Sequence, residues 1–178
     1  MTLRTLAFLL LSLVFFLSST FWPFCSVHAS PPSPFDLDML VGQKAPEFSV
    51  KDINGNLVSI SSLKGKVILL NFWATWCPPC AAEMPSMDRL YQSFKNRGLM
   101  IIGVSMDGSV STVKSFIKKT PVSFIVVVDS KQIISRSYKA FMSPLTFIID
   151  KRGVVVDKYF GEQDWTDSAI VKKIESFL

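Results

Sequence analysis

Histidine and cysteine are scarce in this chain. Its 178 residues include one histidine, His28, and three cysteines, Cys25, Cys77 and Cys80. A structural zinc ion takes four ligands, usually as two cysteine or histidine pairs, and two such pairs are not available. Basic clusters are missing as well. The formal net charge is +5, yet the longest basic runs are the pairs Lys118-Lys119, Lys151-Arg152 and Lys172-Lys173. A nucleic-acid binder concentrates such charge on one face, so the charge reads as a solvated surface and no nucleic-acid partner is expected. Internal repeats are absent, and the only biased stretch is a short proline-rich one. Hydrophobic residues at 49% against 19% charged supply ample material for the core of one domain.

Charge is thinnest at the N-terminus, where Arg4 stands alone before Asp36. "LAFLLLSLVFFL" (Leu6 to Leu17) is a 12-residue apolar run, and Val27 and Ala29 put small residues at the positions a signal peptidase reads. Basic start, short apolar middle and small-residue exit together have the form of a secretory signal peptide. The competing reading is an uncleaved anchor, since Thr5 to Phe24 offers 20 mostly apolar residues, about enough to cross a bilayer. A lipid-modified Cys25 fits less well, because "WPFC" lacks the small residues that usually precede such a cysteine. Either way, the domain is expected outside the cytoplasm with Arg4 inside. The expected organisation is leader or membrane anchor over 1–29, linker over 30–40 and a folded domain over 41–178. That domain retains two cysteines and no histidine.

Past the proline-rich linker, Asn54-Gly55 between short apolar stretches predicts a hairpin within 47–60. "KVILLNFW" (66–73) is a continuous apolar run of the sort found in strands buried on both faces. From Cys77 to Arg97 the spacing turns helical, with Met84, Met87, Leu90, Tyr91 and Phe94 on one stripe. Further strands are expected over 99–106, 122–129, 145–150 and 154–160, and further helices over 110–119, 132–141 and 166–178. Thr166 or Asp167 would cap the last helix. Alternating strands and helices imply an α/β layered fold. The tight turn "DKRG" makes the last two strands antiparallel, so the central sheet is mixed.

The chemistry concentrates in "NFWATWCPPCAAEMP", Asn71 to Pro85. A bridge from Cys77 to Cys80 closes so small a ring that it would constrain the unfolded chain by only about 2 kcal/mol, a poor structural staple. A metal site lacks further ligands. A redox pair suits the position, because Cys77 follows a buried strand and opens a helix, where unsatisfied N–H groups and the helix dipole favour a thiolate. Pro78 and Pro79 fit the first turn, where no intrahelical N–H bond is lost. Cys80, further into the helix, should be the less exposed sulfur. Cys77 should therefore attack a substrate disulfide and Cys80 should resolve the mixed disulfide. Glu83 lies three residues beyond Cys80, on the same helix face. It could take a proton from the thiol, or simply complement the helix N-terminus.

This segment resembles the active site of the thioredoxin superfamily, specifically its TlpA/ResA-like extracytoplasmic thiol–disulfide oxidoreductases. "VGQKAPEFSVKDINGNLVSISSLKGK" resembles that group's N-terminal hairpin extension, and "SPLTFIIDKRG" its cis-proline loop and following strand. The resemblance runs from about Val41 to the C-terminus. It implies a thioredoxin-like α/β fold: a central mixed sheet flanked by helices, with an N-terminal β-hairpin extension. It implies catalytic roles for Cys77, Cys80, Glu83 and Pro144, the last after a cis bond against the sulfurs. It implies substrate contacts from Trp76, Pro78, Pro79 and Ser143, with Trp73 as a shielding ring and Pro85 as a helix kink. Asn71 stands where plain thioredoxins carry a buried, titrating aspartate, which leaves Glu83 as the stand-in.

The implied activity is disulfide reduction in exported proteins, with electrons from a membrane thiol–disulfide donor and no cofactor or metal. Cytochrome c maturation is a frequent task of the group, although "KAFMSPLTFIID" lacks the loop of the dedicated cytochrome-maturation thioredoxins. Two alternatives come with the fold. A peroxiredoxin-like peroxidase would have Thr or Ser three residues, and Pro seven residues, before its reactive cysteine. Ala74 and Leu70 precede Cys77, and Cys77 and Trp73 precede Cys80, so neither cysteine fits. A non-enzymatic client- or copper-binding module is the other; related copper carriers add a histidine and space their cysteines differently.

Overall fold

A computed structural model describes residues 40–178. The leader or anchor, nearly all of the linker, Cys25 and His28 lie outside the described residues. Among those described, no helix is long and apolar enough to cross a membrane.

The elements run β1 (Ser49–Lys51), β2 (Leu57–Ser59), β3 (Val67–Trp73), α1 (Pro78–Phe94), β4 (Leu99–Ser105), α2 (Val110–Lys119), β5 (Ile125–Val128), α3 (Ile133–Ser137), β6 (Leu145–Ile149), β7 (Val155–Phe160) and α4 (Ser168–Glu175). Five strands form the central sheet in the order β5-β4-β3-β6-β7. β3 lies parallel to β4 and antiparallel to β6, so the sheet is mixed as expected. The thioredoxin-like α/β fold and its N-terminal hairpin are both present.

β3 is the axis of the molecule, and all seven of its residues are buried. Period-two alternation divides them. Val67, Leu69 and Trp73 join Met84, Met87 and Leu90 of α1, Val113 of α2 and Ile170 and Ile174 of α4 in one core layer. Ile68, Leu70 and Phe72 join Phe48, Val58, Ile60, Tyr138 and Phe147 in the other. Asn71 falls in the row that faces α1, a lone amide among apolar neighbours. That placement decides the chemistry of the site.

The residues before β3 cross the second face like a strap. The Gly42 amide donates to the Val155 carbonyl, and Val155 donates back to Gln43, at the start of β7. At the other edge the Ile53 amide donates to the Val126 carbonyl of β5. The hairpin turn is held by Asp52, whose carboxylate accepts from the amides of Asn54 and Asn56, while Gly55 takes the positive φ of 94°.

Most of the expected elements are shorter than their sequence signal, and in two of them the cause is visible. The strand expected from 122 begins at Ile125, because the Ser123 amide and hydroxyl are both drawn to Asp88 of α1. The helix expected over 132–141 stops after Ser137: Lys139 turns to a positive φ of 54° and the Ala140 amide reaches back to the Ser135 carbonyl. Pro85 sits inside α1, which continues through it to Phe94. Asp167 is the cap of α4, accepting from the amides of Ala169 and Ile170.

Candidate active site

Cys77 is the N-cap of α1, and Pro78 and Pro79 occupy the first two helical positions. The arrangement is local: proline supplies a helical φ where no N–H is needed, and the cysteine side chain acts as the cap. The Cys80 amide donates to Cys77 Sγ at 3.3 Å. Cys77 and Cys80 are joined by a disulfide. Cys77 is 5% exposed and Cys80 1%, so Cys77 is the sulfur that a partner reaches first.

The turn before Cys77 is latched from β4. Asp107 accepts the Thr75 amide at 2.9 Å, the Thr75 hydroxyl at 2.6 Å and the Ser105 hydroxyl at 2.7 Å. The Met106 amide adds a bond to the Trp73 carbonyl. Trp73 is fully buried and packs against Phe116 of α2, as a core residue.

The loop before β6 closes the site from the other side. The Ser143–Pro144 bond is cis, and the Ser143 carbonyl oxygen lies 3.7 Å from Cys77 Sγ. Three large apolar side chains border this junction: Trp76 at 69%, Phe141 at 52% and Met142 at 58% exposure. Pro78 and Pro79 are exposed on the same turn. Cys77, Cys80, Trp76, Pro78, Pro79, Ser143 and Pro144 are thus gathered around one sulfur–sulfur bond.

Glu83 belongs to the site but points inward, and it is only 2% exposed. It is not in the first turn of α1, so it does not serve as a helix-terminal charge. Its Oε1 accepts from Asn71 Nδ2 at 2.8 Å. Its Oε2 accepts from the Gln163 amide at 3.2 Å and from Trp165 Nε1 at 3.3 Å. Asn71 Nδ2 also donates to Thr146 Oγ1 at 2.9 Å, across the β3–β6 register that pairs these residues. Burial pushes the Glu83 carboxyl up to about 7, against the pull of its three N–H donors, and the nearby Glu162 charge adds to the rise. A buried acid with that proton affinity can accept and return a proton near neutral pH.

Thr146, Gln163, Trp165 and Asp107 were not singled out from the sequence. Thr146 carried a signal: like Asn71, it is a solitary polar residue in a continuous apolar strand. Gln163 and Trp165 lie in a loop with no periodicity to mark them. Among the described residues, no group of three or more His, Cys, Asp or Glu side chains could hold a metal.

The family model for the AhpC/TSA family matches residues 41–158. The chain belongs to the AhpC/TSA family. Within the AhpC/TSA family its curated relatives include thiol–disulfide oxidoreductase ResA of Bacillus cereus, 42% identical over 125 residues that cover 70% of this chain and 72% of that protein. ResA of Bacillus subtilis (strain 168) is 41% identical over 120 residues, 67% of each chain. Among solved structures, a thiol:disulfide interchange protein of the thioredoxin family from Chlorobium tepidum TLS superposes with a TM-score of 0.66 at 30% identity. It covers 74% of this chain and 94% of that one. The thioredoxin domain of a thiol–disulfide oxidoreductase from Bacteroides vulgatus gives 0.68 at 28% identity, over 77% and 96%. This AhpC/TSA family member is a thiol–disulfide oxidoreductase, an enzyme with the ResA-like pattern that the cysteine motif resembles.

Proposed function

We propose that the protein reduces disulfides in exported proteins on the outer side of a cytoplasmic membrane, with electrons from a membrane thiol–disulfide donor. The observation that carries this reading is Cys77 Sγ at 3.7 Å from the Ser143 carbonyl, beneath the exposed rim of Trp76, Phe141 and Met142. An extended client chain can lay apolar residues on that rim and pair with the Ser143 main chain, which puts its own disulfide against Cys77. The leader-like start of the sequence supports the compartment, and the relatives named thiol–disulfide oxidoreductase support disulfide exchange as the reaction. Cytochrome c precursors, whose cysteines must be reduced before haem attachment, are the first client class to assay.

The chemistry balances with the residues present. The Cys77 thiolate attacks one sulfur of the client disulfide; a Cys77–client bond forms, the client's own bond breaks, and its second sulfur leaves as a thiolate that water protonates. Cys80 gives its proton to the Glu83 carboxylate. The Cys80 thiolate then attacks Cys77 Sγ, forming the disulfide seen here and releasing the client's remaining thiolate. Two electrons have passed to the client, and the donor restores the dithiol. Since the Glu83 carboxyl titrates at about 7, it can return its proton in the next cycle.

Cys80→Ser should trap the mixed disulfide, and mass spectrometry of the trapped adduct should identify exported clients. Cys77→Ser with Cys80→Ser should fail to complement a deletion strain. Full complementation by that double variant would refute the exchange reading.

A further inference from the structure

Glu83 is held from a distant part of the chain. The loop between β7 and α4 comes back over α1 and is fixed to it twice through one residue. The Trp165 amide donates to Ser86 Oγ at 3.1 Å, and Ser86 Oγ donates to the Glu83 carbonyl at 2.8 Å. The Trp165 indole then reaches Glu83 Oε2, beside the Gln163 amide. Trp165 is fully buried, with the Tyr159 ring packed edge-on at 5.5 Å. All three polar groups on the carboxylate oxygens are N–H donors: Asn71 on one oxygen, Gln163 and Trp165 on the other. A set of donors fits an ionised carboxylate and leaves a carboxyl O–H with no acceptor, so the cradle opposes the effect of burial.

We propose that Trp165 is a positioning residue of the exchange reaction: its indole N–H, with the Gln163 amide, holds Glu83 Oε2 so that the buried carboxylate stays available to take up the Cys80 proton. The proposal rests on the reading of Glu83 as that proton's acceptor. The charged and titratable groups around Glu83 are few. Cys80 lies one turn back on α1. Glu162 lies in the loop and raises the proton affinity of Glu83. Arg89 of α1 and Asp164 line the recess beyond Gln163, and Tyr159 of β7 reaches Glu83 only through the Trp165 ring. β3 and β6 contribute the neutral side chains Asn71 and Thr146.

The test is a titration of the Glu83 carboxyl by carbon-13 NMR in the oxidised protein, where neither cysteine of the pair titrates. Trp165→Phe keeps an aromatic ring and deletes the donor. Losing one hydrogen bond to a charged group should move the Glu83 midpoint up by about one pH unit. An unmoved midpoint in a folded Trp165→Phe protein would overturn the proposal. If that variant does not fold, the wild-type protein decides: the Trp165 indole N–H resonance must shift with the same midpoint as the Glu83 carboxyl, and an indole resonance indifferent to that titration overturns the proposal. The pH profile of client reduction tests the underlying reading separately. If Trp165→Phe moves the carboxyl midpoint but not the reaction profile, Trp165 holds the carboxylate as proposed and Glu83 is not the acceptor.

Discussion

Replacing Glu83 by glutamine should remove a pH slope from the stability of the oxidised protein. In the unfolded chain the carboxyl has its ordinary value of 4.5, and in the folded chain burial raises it to about 7. Below pH 4.5 both states hold the proton and the group favours neither. Between 4.5 and 7 the folded chain keeps a proton that the unfolded chain has lost, so stability falls as pH rises. Above 7 both are ionised and the whole cost of burying the charge is present. At 1.36 kcal/mol per pH unit, the gap between those two values corresponds to about 3 kcal/mol. Glutamine cannot titrate; its amide NH2 meets the N–H groups of Trp165 and Gln163 at a cost that is the same at every pH. Denaturant unfolding of both proteins at pH 5 and pH 8, with the disulfide kept intact, isolates the effect in the difference between their slopes. The wild type should lose about 2–3 kcal/mol relative to Glu83→Gln over that interval. A difference that stays flat to within about 0.5 kcal/mol would show that Glu83 is ionised as readily in the fold as in water.

Two further substitutions test how the site is supported. A methyl group added at Gly103 of β4 would lie 3.0 Å from Trp73 Nε1 and 3.2 Å from Phe124 Cε2, both in buried rings. Gly103→Ala should therefore destabilise the protein by about 1–3 kcal/mol through overpacking, read from the denaturant midpoint; a neutral effect would mean that Trp73 is freer than its burial implies. Asp107→Ala removes the acceptor for the Thr75 amide, the Thr75 hydroxyl and the Ser105 hydroxyl. It should cost about 2 kcal/mol and accelerate hydrogen exchange at the Thr75 amide. Unchanged exchange there would rule out the latch.

The parts of this fold that could be read from the chain are those in which a local pattern meets a strong physical constraint. Val67–Trp73 and Leu99–Ser105 are strands because an unbroken apolar run of that length has to be covered on both faces. The start of α1 was equally legible, since two prolines after a cysteine fit the first turn of a helix and little else. The ends of α3 and β5 were not, because they depend on tertiary demands: Asp88 on Ser123, and the turn at Lys139. The same division runs through the site. Cys77, Cys80 and Glu83 share one helix, and their spacing is visible in the sequence. The partners that hold Glu83 Oε2 and restrain its proton affinity against burial are separated from it by 80 residues at Gln163 and 82 at Trp165, in a loop whose sequence carries no period. Asn71 and Thr146 fall between these cases. Each stands out as a polar residue in an apolar strand, and only the antiparallel register shows that they face one another.

The strap ahead of β3 has a consequence for solubility. Strands β5 and β7 are the two margins of the sheet, and a margin offers a row of unpaired amides and carbonyls to any passing strand. Gly42 and Gln43 occupy part of that row on Val155, and Asp52 and Ile53 part of it on Val126 and Val127. Between those two anchor points, Phe48, Val58 and Ile60 cover the apolar face beneath. About twenty residues that contribute nothing to the sulfur chemistry thus cover part of each margin at which a second copy of the sheet, or any extended chain, could add itself as a further strand.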